Sequence, residues 1–299
     1  MQRRDVLTAA ALAAPALALA AAASANPKRA RPVTIETADG ARLAYSDWGT
    51  GKPVVFVHSW GANSEMWGYQ IADLMEHGVR CVAYDRRGHG GSSDPGRGYD
   101  PDTLADDLAA VMDSLDLRDA TLVGHSMGGG EIVRYLSRHG DARVAGVVLL
   151  ASTTPFLMKT SDNPHGVDKA MFEAGRAIWR KDFPKWIADN TDPFFTADTS
   201  PAMKAWGAEM LLKTPLPILI ECNRTVAQTD YRPDLKAIKK PVLVLHGDKD
   251  VSAILELTGK PSAALIPGAK LVVYEGAPHG LFITHMDRVN SDIRAFVGV

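Results

Sequence analysis

The sequence predicts an α/β fold: a mostly parallel, twisted sheet of about eight strands, flanked by helices and covered by a helical cap. Two observations lead to this prediction. Short, fully apolar runs alternate with amphipathic helical segments, as in a sheet that is buried on both faces. A stretch over about 155–233 then interrupts the alternation with helical segments, many prolines and clustered aromatic residues. We interpret that stretch as the cap.

Eight strands are expected in chain order. The first two form an antiparallel hairpin over 33–37 and 42–48, because Asp39-Gly40 between them is a tight-turn pair. The other six are short apolar runs over 54–57, 79–84, 120–123, 144–150, 242–245 and 271–274. Fully apolar strands of this kind are typical of parallel sheets.

Three helices are expected outside the cap. The helix over 101–115 has its apolar side chains on one face, with Asp100 as its N-cap and Pro101 at its first position. A second helix over 131–139 ends at Gly140, a residue type that commonly terminates helices. A third is expected over 284–297. Helices that alternate with apolar strands favour the parallel arrangement.

The composition excludes several classes of function. The 299 residues carry 33 Lys and Arg against 35 Asp and Glu, which gives a net charge of −2. The chain therefore lacks the excess of basic residues that is typical of proteins that bind nucleic acids. Two cysteines, Cys81 and Cys222, are too few for a disulfide framework or a cysteine zinc site, and we interpret them as separate buried thiols. No zinc-type His/Glu spacing and no dinucleotide-binding glycine motif is found. No metal and no cofactor are therefore expected.

The first 25 residues have the order of a secretion signal. Arg3 and Arg4 precede an apolar run over 8–23, and Ala23-Ser24-Ala25 forms a small-x-small cleavage site. The paired arginines suggest the twin-arginine type of bacterial signal. The alternatives are a fraying N-terminal helix and an uncleaved anchor, but the run is short and rich in alanine for a membrane span. We expect a periplasmic or secreted protein, without stable membrane insertion after cleavage, whose single domain spans 26–299.

The segment Gly124-His125-Ser126-Met127-Gly128 carries the pattern Gly-x-Ser-x-Gly. An apolar strand runs directly into it and a helix leaves it, which is the arrangement of a nucleophile elbow. Such a turn exposes the hydroxyl of Ser126 and directs the backbone N–H of Met127 towards a developing oxyanion. The alternative is a glycine-rich turn with an incidental serine.

A serine nucleophile needs a general base and an acid that orients the base. His279 follows the last strand in a Gly/Pro loop, in the order that this arrangement requires, and is the expected base. Two aspartates, Asp248 and Asp250, leave the preceding strand, and either can be the acid. His125, beside the nucleophile, is expected to pack or hydrogen-bond locally.

With these motifs in place, the chain resembles the α/β-hydrolase superfamily. Within it, the chain is similar to bacterial arylesterases that are also named cofactor-free (non-haem) haloperoxidases or perhydrolases. The resemblance covers nearly everything after about residue 33 and rests on the segments 57–60, 84–92, 124–130, 228–234, 246–250 and 277–280. It implies Asp250 as the acid, His279 as the base, and an oxyanion hole made by the backbone N–H groups of Trp60 and Met127.

The chain departs from that group at three places. Ser59 stands where glycine is usual before Trp60, Gly61 stands where proline or leucine is frequent, and 251–254 replaces a stretch that usually ends in Val-Pro. None of these departures removes a catalytic group.

The resemblance implies a serine carboxylesterase or arylesterase that hydrolyses small uncharged esters through an acyl-enzyme. Perhydrolysis, with hydrogen peroxide in place of water, is expected as a side activity. The alternatives are a C–C bond hydrolase or lactonase with the same triad, and a non-catalytic binding protein on the same fold. A homo-oligomer is compatible with the sequence.

Five aromatic residues of the cap stretch are candidates for the substrate pocket: Phe156, Trp186, Phe194, Phe195 and Trp206. Because clustered aromatic side chains usually form core, about half of them are expected to pack inside the cap instead.

Overall fold

The computed structural model describes residues 34–299, so the predicted signal over 1–25 lies outside the described residues. Eight strands form one sheet: β1 (Thr34–Glu36), β2 (Arg42–Trp48), β3 (Lys52–Val57), β4 (Val79–Tyr84), β5 (Ala120–His125), β6 (Val144–Leu150), β7 (Val242–Gly247) and β8 (Lys270–Tyr274). Their order across the sheet is β1-β2-β4-β3-β5-β6-β7-β8.

The sheet is mostly parallel, as predicted. β2 is antiparallel to both of its neighbours, β1 and β4. All pairs from β4 through β3, β5, β6 and β7 to β8 are parallel. The carboxyl ends of six strands therefore meet at one edge, where open α/β sheets bind their ligands.

Ten helices occur in the described part of the chain: α1 (Gly68–Glu76), α2 (Pro101–Ser114), α3 (Met127–His139), α4 (Lys169–Asn190), α5 (Pro201–Leu212), α6 (Leu216–Gln228), α7 (Arg232–Ala237), α8 (Gly259–Leu265), α9 (Leu281–Thr284) and α10 (Met286–Val297). Short 3₁₀ turns cover Ser64–Trp67 and Asp192–Phe194.

Helix α2 matches the helix predicted over 101–115, and the side chain of Asp100 accepts a hydrogen bond from the Thr103 N–H as its N-cap. Two other helices differ from the prediction. Helix α3 begins at Met127, four residues earlier than expected. The helix predicted over 284–297 is divided at His285, so that α9 precedes α10.

Two apolar cores lie on the two faces of the sheet. In β3, Val55 and Val57 point into one core, which helices α2, α3 and α7 cover. Val54 and Phe56 point into the other core, which α1 and α10 cover. Burial on both faces explains why these strands are continuous apolar runs rather than alternating ones.

Helices α4, α5 and α6 lie in the segment predicted as the cap. They contact the loops at the carboxyl edge of the sheet: the Trp60 indole N–H donates to the Leu219 carbonyl oxygen at 2.8 Å. An aromatic and aliphatic cluster that includes Trp179, Phe183 and Ile187 packs beside Trp60. Within residues 34–299, no helix is both long enough and apolar enough to cross a bilayer.

The two cysteines lie apart in the fold, Cys81 in β4 and Cys222 in α6, and both are free and buried. This confirms the interpretation of them as separate buried thiols.

Candidate active site

Ser126 lies at the turn between β5 and α3, with φ 55° and ψ −118°. This positive φ is uncommon for a residue that has a Cβ, and such strain is often found at functional sites. The Ser126 N–H donates to the Leu150 carbonyl oxygen at 3.0 Å, and its own carbonyl oxygen accepts from Gly129 at 3.1 Å. Ser126 stands at the N-cap position, yet its side chain makes no cap hydrogen bond. The hydroxyl is therefore not used to cap α3.

The two glycines of the motif allow the elbow to pack tightly. A Cβ on Gly128 would lie 2.4 Å from the carbonyl oxygen of Val57, and one on Gly124 would lie 2.7 Å from the carbonyl of Gly128. A side chain at Gly128 would push the elbow away from β3, and one at Gly124 would push the start of α3 away from β5. The end of β3 leads into the loop of Trp60, so this close packing makes the start of α3 and that loop neighbours.

His279 and Asp250 form a buried pair. The imidazole Nδ1–H donates to Asp250 Oδ2 at 2.6 Å, which leaves Nε2 as the nitrogen available to a substrate or nucleophile. The other carboxylate oxygen, Oδ1, accepts from the backbone N–H groups of Ser252 at 2.8 Å and Ala253 at 2.7 Å. Both carboxylate oxygens are therefore hydrogen-bonded, and the carboxylate is fixed in orientation.

Asp248, the other candidate for the acid, is exposed and points elsewhere. Its Oδ1 accepts from the backbone N–H of Gly276 at 2.7 Å. The geometry thus pairs His279 with Asp250, the residue that the family resemblance implies.

The Asp250 carboxylate is stabilised in its charged form. Burial by itself would raise its pKa, but attraction to His279 and hydrogen bonds from His246, His279 and the Ala253 N–H hold the pKa well below the ordinary range. A carboxylate that stays ionised can stabilise a positive charge on the imidazole of His279.

His125 connects the elbow to the loop of His279. Its Nε2–H donates to the His279 carbonyl oxygen at 2.9 Å, and the centroids of the two rings lie 4.7 Å apart. Burial and the neighbouring His279 lower the pKa of His125 to about 3. A neutral His125 thus fixes the backbone of His279, which is the local hydrogen-bonding role that the sequence predicts.

Trp60, a predicted oxyanion residue, follows β3 in a loop that the cap covers. Gly61, next to it, has φ +71°, and a Cβ there would lie 2.8 Å from a methyl carbon of Leu219. The positive φ favours glycine here, and a larger residue would also have to displace the Leu219 side chain. This accounts for glycine where the family often has proline or leucine.

Two of the five predicted pocket residues lie against candidate catalytic groups. Phe194 meets the His279 ring nearly edge-on at 5.5 Å, and its carbonyl oxygen accepts from the Gly280 N–H at 3.0 Å. Trp186 meets the Trp60 ring edge-on at 6.2 Å.

The other three pocket candidates pack elsewhere. Phe195 is buried and belongs to the apolar core. Trp206 meets the ring of exposed Tyr69 edge-on at 6.2 Å. Phe156 lies under the Arg232 guanidinium at 5.2 Å.

Sequence reasoning missed two buried groups beside the site. Arg86, known from the sequence only as part of the segment 84–92, donates to the carbonyl oxygens of His58 and Ser59, the two residues before Trp60. His246 Nε2 lies 2.6 Å from the Ala253 carbonyl oxygen and 3.4 Å from Asp250 Oδ2. The signal for Arg86 was a charged residue two positions after the end of a buried strand.

Among the described residues, no group of three or more His, Cys, Asp and Glu side chains is arranged to hold a metal ion. What the arrangement offers instead is an uncapped hydroxyl, an imidazole with one free nitrogen and a fixed carboxylate. These are the groups that nucleophilic acyl transfer requires.

Known proteins resemble the chain over most of its length. A profile described as "alpha/beta hydrolase fold" matches residues 52–286. The chain is 40% identical over 268 residues to the non-heme chloroperoxidase CPO-A1 of Kitasatospora aureofaciens, covering 87% of this chain and 98% of that protein. It is 35% identical over 275 residues to the bifunctional esterase/perhydrolase DCH of Acinetobacter calcoaceticus, covering 88% and 98%.

Among solved structures, an esterase (EaEST) from Exiguobacterium antarcticum superposes with a TM-score of 0.86 at 29% identity. The match covers 90% of this chain and all of that one. The fold, the elbow and these similarities lead to one conclusion: the chain belongs to the α/β-hydrolase family.

Proposed function

We propose that this protein is a serine carboxylesterase or arylesterase that uses Ser126, His279 and Asp250. The observation that carries the proposal is the 2.6 Å hydrogen bond between His279 Nδ1 and the buried Asp250 carboxylate. It leaves Nε2 of the same ring as a base, in a loop that His125 ties to the strand ending at the elbow. The esterase and esterase/perhydrolase relatives support the same reaction class.

In the proposed reaction, Ser126 Oγ attacks the ester carbonyl carbon while His279 Nε2 takes the hydroxyl proton. The Asp250 carboxylate stabilises the imidazolium that forms. Backbone N–H groups of Trp60 and Met127 hold the negative oxygen of the tetrahedral intermediate, and each such donor supplies roughly 3 kcal/mol. His279 then protonates the leaving alcohol. The acyl group remains on Ser126.

Water completes the cycle. His279 removes a proton from water, the hydroxide attacks the acyl-enzyme, and the carboxylic acid leaves as the Ser126 hydroxyl regains its proton. Hydrogen peroxide in place of water would give a peracid by the same steps. The relative named esterase/perhydrolase favours this as a side activity.

The proposed substrates are small, uncharged esters with aryl or short alkyl groups. Aromatic rings surround the candidate catalytic groups, with Phe194 against His279 and with Trp179 and Trp186 against Trp60. A pocket lined with such rings favours apolar ligands.

We further propose that residues 1–25 direct export to the periplasm or the medium. Expression in a bacterial host that has a twin-arginine pathway tests this proposal. The matched variant is Arg3→Lys/Arg4→Lys. Mass spectrometry of the exported parent is expected to show a chain beginning at Asn26. A parent that stays in the cytosol with Met1 intact would contradict the proposal.

The proposed activity is tested with a panel of aryl and short-chain alkyl esters, with and without hydrogen peroxide. We expect the parent to hydrolyse several of them and Ser126→Ala to lower kcat by about three orders of magnitude or more. Phenylmethanesulfonyl fluoride is expected to add to Ser126 in the parent and not in the variant. Equal turnover by the parent and the variant would contradict the assignment of Ser126 as the nucleophile.

A further inference from the structure

We propose that Arg86 is a positioning residue for the oxyanion hole. Its guanidinium holds the loop that carries Trp60 and the helix that carries Met127 in one fixed relation. The inference rests on the proposed function, because an oxyanion hole acts only if the protein performs acyl transfer.

The argument begins with one peptide group. The carbonyl of Ser59 and the N–H of Trp60 belong to the same planar trans unit, so they point in opposite directions. The Ser59 carbonyl oxygen accepts from Arg86 Nη1 at 3.3 Å and lies 2.8 Å from His58 Nδ1. Fixing that oxygen on one side therefore aims the Trp60 N–H to the other side.

Arg86 also fixes the preceding peptide group and the tautomer of His58. Its Nη2–H donates to the His58 carbonyl oxygen at 2.8 Å, and its backbone N–H donates to His58 Nε2 at 2.9 Å. Because Nε2 accepts, the proton of the neutral ring is at Nδ1, which donates to the Ser59 carbonyl oxygen. Two successive carbonyl groups before Trp60 thus accept from the same guanidinium.

The other end of the guanidinium reaches the elbow helix. Arg86 Nε–H donates to Glu131 Oε2 at 2.8 Å, and Glu131 lies in α3, whose first residue is Met127. The Tyr84 hydroxyl donates to the second oxygen of Glu131. Arg86 thus connects the two backbone segments that supply the two proposed oxyanion donors.

Stability alone does not explain this pair. The Arg86 and Glu131 side chains are 0% and 1% exposed, and taking two charges out of water costs about as much as their attraction returns. Apolar residues of similar size would stabilise the fold as well or better. Among the side chains, only the planar guanidinium of arginine can donate hydrogen bonds to two carbonyl oxygens and one carboxylate at the same time.

The next residue supplies a matched control. Arg87 forms an equally buried pair with Asp107, each side chain 1% exposed, through hydrogen bonds of 2.6 and 2.7 Å. Its guanidinium also reaches Asp39. These contacts join the loop to α2 and to the turn after β1, and none of them involves the Trp60 loop or α3.

The test compares the double variant Arg86→Met/Glu131→Gln with Arg87→Met/Asp107→Asn. Each removes both members of a buried pair; Asp39, which loses its contact with Arg87 in the second variant, has a side chain that is 36% exposed to water. For the Arg86 variant we expect kcat for phenyl acetate to fall about 10- to 100-fold with KM within about twofold of the parent, as for a misplaced oxyanion donor. For the Arg87 variant we expect kcat within about threefold of the parent.

Two further readouts separate positioning from general damage. Phenylboronic acid forms a tetrahedral anionic adduct on a serine, and its affinity should weaken in parallel with kcat. The pH at which kcat/KM changes should stay where it is in the parent, because Arg86 contacts neither Asp250 nor His279. Arg86→Lys keeps the positive charge but loses the branched hydrogen-bonding geometry of the guanidinium, and we expect an intermediate loss of kcat. If the double variant does not fold, Arg86→Lys is the variant that tests the proposal.

The outcomes are distinct. A folded Arg86 variant with kcat within threefold of the parent, or equal losses in both double variants, overturns the positioning role. A parent that hydrolyses no ester overturns the proposed function instead, and the boronate affinities of parent and variant then decide the inference alone. A parent that neither hydrolyses esters nor binds the boronate overturns both.

Discussion

At the scale of single residues, Asp248 and Asp250 stand two positions apart on one loop and have opposite environments. Asp250 is buried against His279, whereas Asp248 is exposed and accepts only from a backbone N–H. We expect Asp250→Asn to lower kcat by about three to four orders of magnitude, because the imidazole loses the partner that fixes its tautomer. Asp248→Asn should leave kcat within a few-fold of the parent. Steady-state kinetics on one aryl ester measures both.

The two variants serve as controls for each other, since both exchange a carboxylate for an amide of the same shape. If Asp248→Asn lowers kcat strongly while Asp250→Asn lowers it only slightly, the acid has been assigned to the wrong aspartate. The hydrogen bond from His279 to Asp250 then has no catalytic role.

Residues differ in how far the sequence can predict them. Ser126 and His279 are predictable because strand–turn–helix context and order along the chain mark them. The acid is not settled by spacing, because spacing does not say which of two aspartates turns inward. Arg86 was not assigned a role, since it acts on carbonyl groups of a loop about 27 residues earlier and on a helix about 45 residues later.

At the scale of elements, α3 shows where sequence reasoning loses precision. Gly128, Gly129 and Gly130 have low intrinsic helix propensity, so the pattern places the helix start at 131. In the structure these glycines lie in the first turn of α3, where close neighbours exclude larger residues: a Cβ would meet the Val57 carbonyl oxygen at Gly128, the Ser152 side chain at Gly129 and the Tyr231 ring at Gly130. Tertiary packing overrides local propensity there.

Gly128→Ala tests the importance of this contact. Because its Cβ would lie 2.4 Å from the Val57 carbonyl oxygen, the start of α3 must shift. We expect a loss of about 1–3 kcal/mol in the free energy of unfolding. We also expect at least a tenfold lower kcat, since the Met127 N–H moves with the helix. Urea denaturation and ester kinetics measure the two effects.

A matched glycine lies in the cap helix α4, where a Cβ on Gly175 meets nothing within 4 Å. Gly175→Ala should raise stability by up to about 1 kcal/mol, as in an ordinary helix interior, and leave kcat unchanged. Equal behaviour of the two variants would show that the β3 contact is not what constrains Gly128.

The cap was predicted as helical, but its individual helices were not. Helix α4 changes direction at Asp182, which has φ −161° and ψ 84°, just before Pro184. Proline disfavours helical geometry in its neighbourhood, which explains the break. The strands were easier to predict, because they are continuous apolar runs. Their order across the sheet was not predictable in the same way, because it depends on crossover connections that the local sequence pattern does not encode.

At the scale of the whole molecule, three buried histidines link stability to pH. Burial and nearby positive charge hold the pKa of His58 well below its ordinary range and lower that of His89 to about 3, and burial with His279 lowers that of His125 to about 3. In the unfolded chain each titrates near pH 6.5. As pH falls below about 6.5, the unfolded state therefore binds protons that the folded state does not, and stability is lost.

We expect the free energy of unfolding to decline from about pH 6.5 towards pH 4, with each of these histidines contributing up to about 1.4 kcal/mol per pH unit. Urea denaturation at several pH values measures the slope. His89→Asn removes one titrating group, so its slope should be shallower by about one proton. A stability that stays flat between pH 7 and 5 would contradict this account.

The two buried cysteines have a chemical consequence for the proposed side reaction with hydrogen peroxide. Burial raises the pKa of Cys81 and of Cys222 to about 12, so at neutral pH both remain thiols. Peroxide and peracids attack the thiolate, not the thiol. The chain thus keeps its sulfhydryl groups in a form that hydrogen peroxide, the co-substrate of the proposed side reaction, does not readily oxidise.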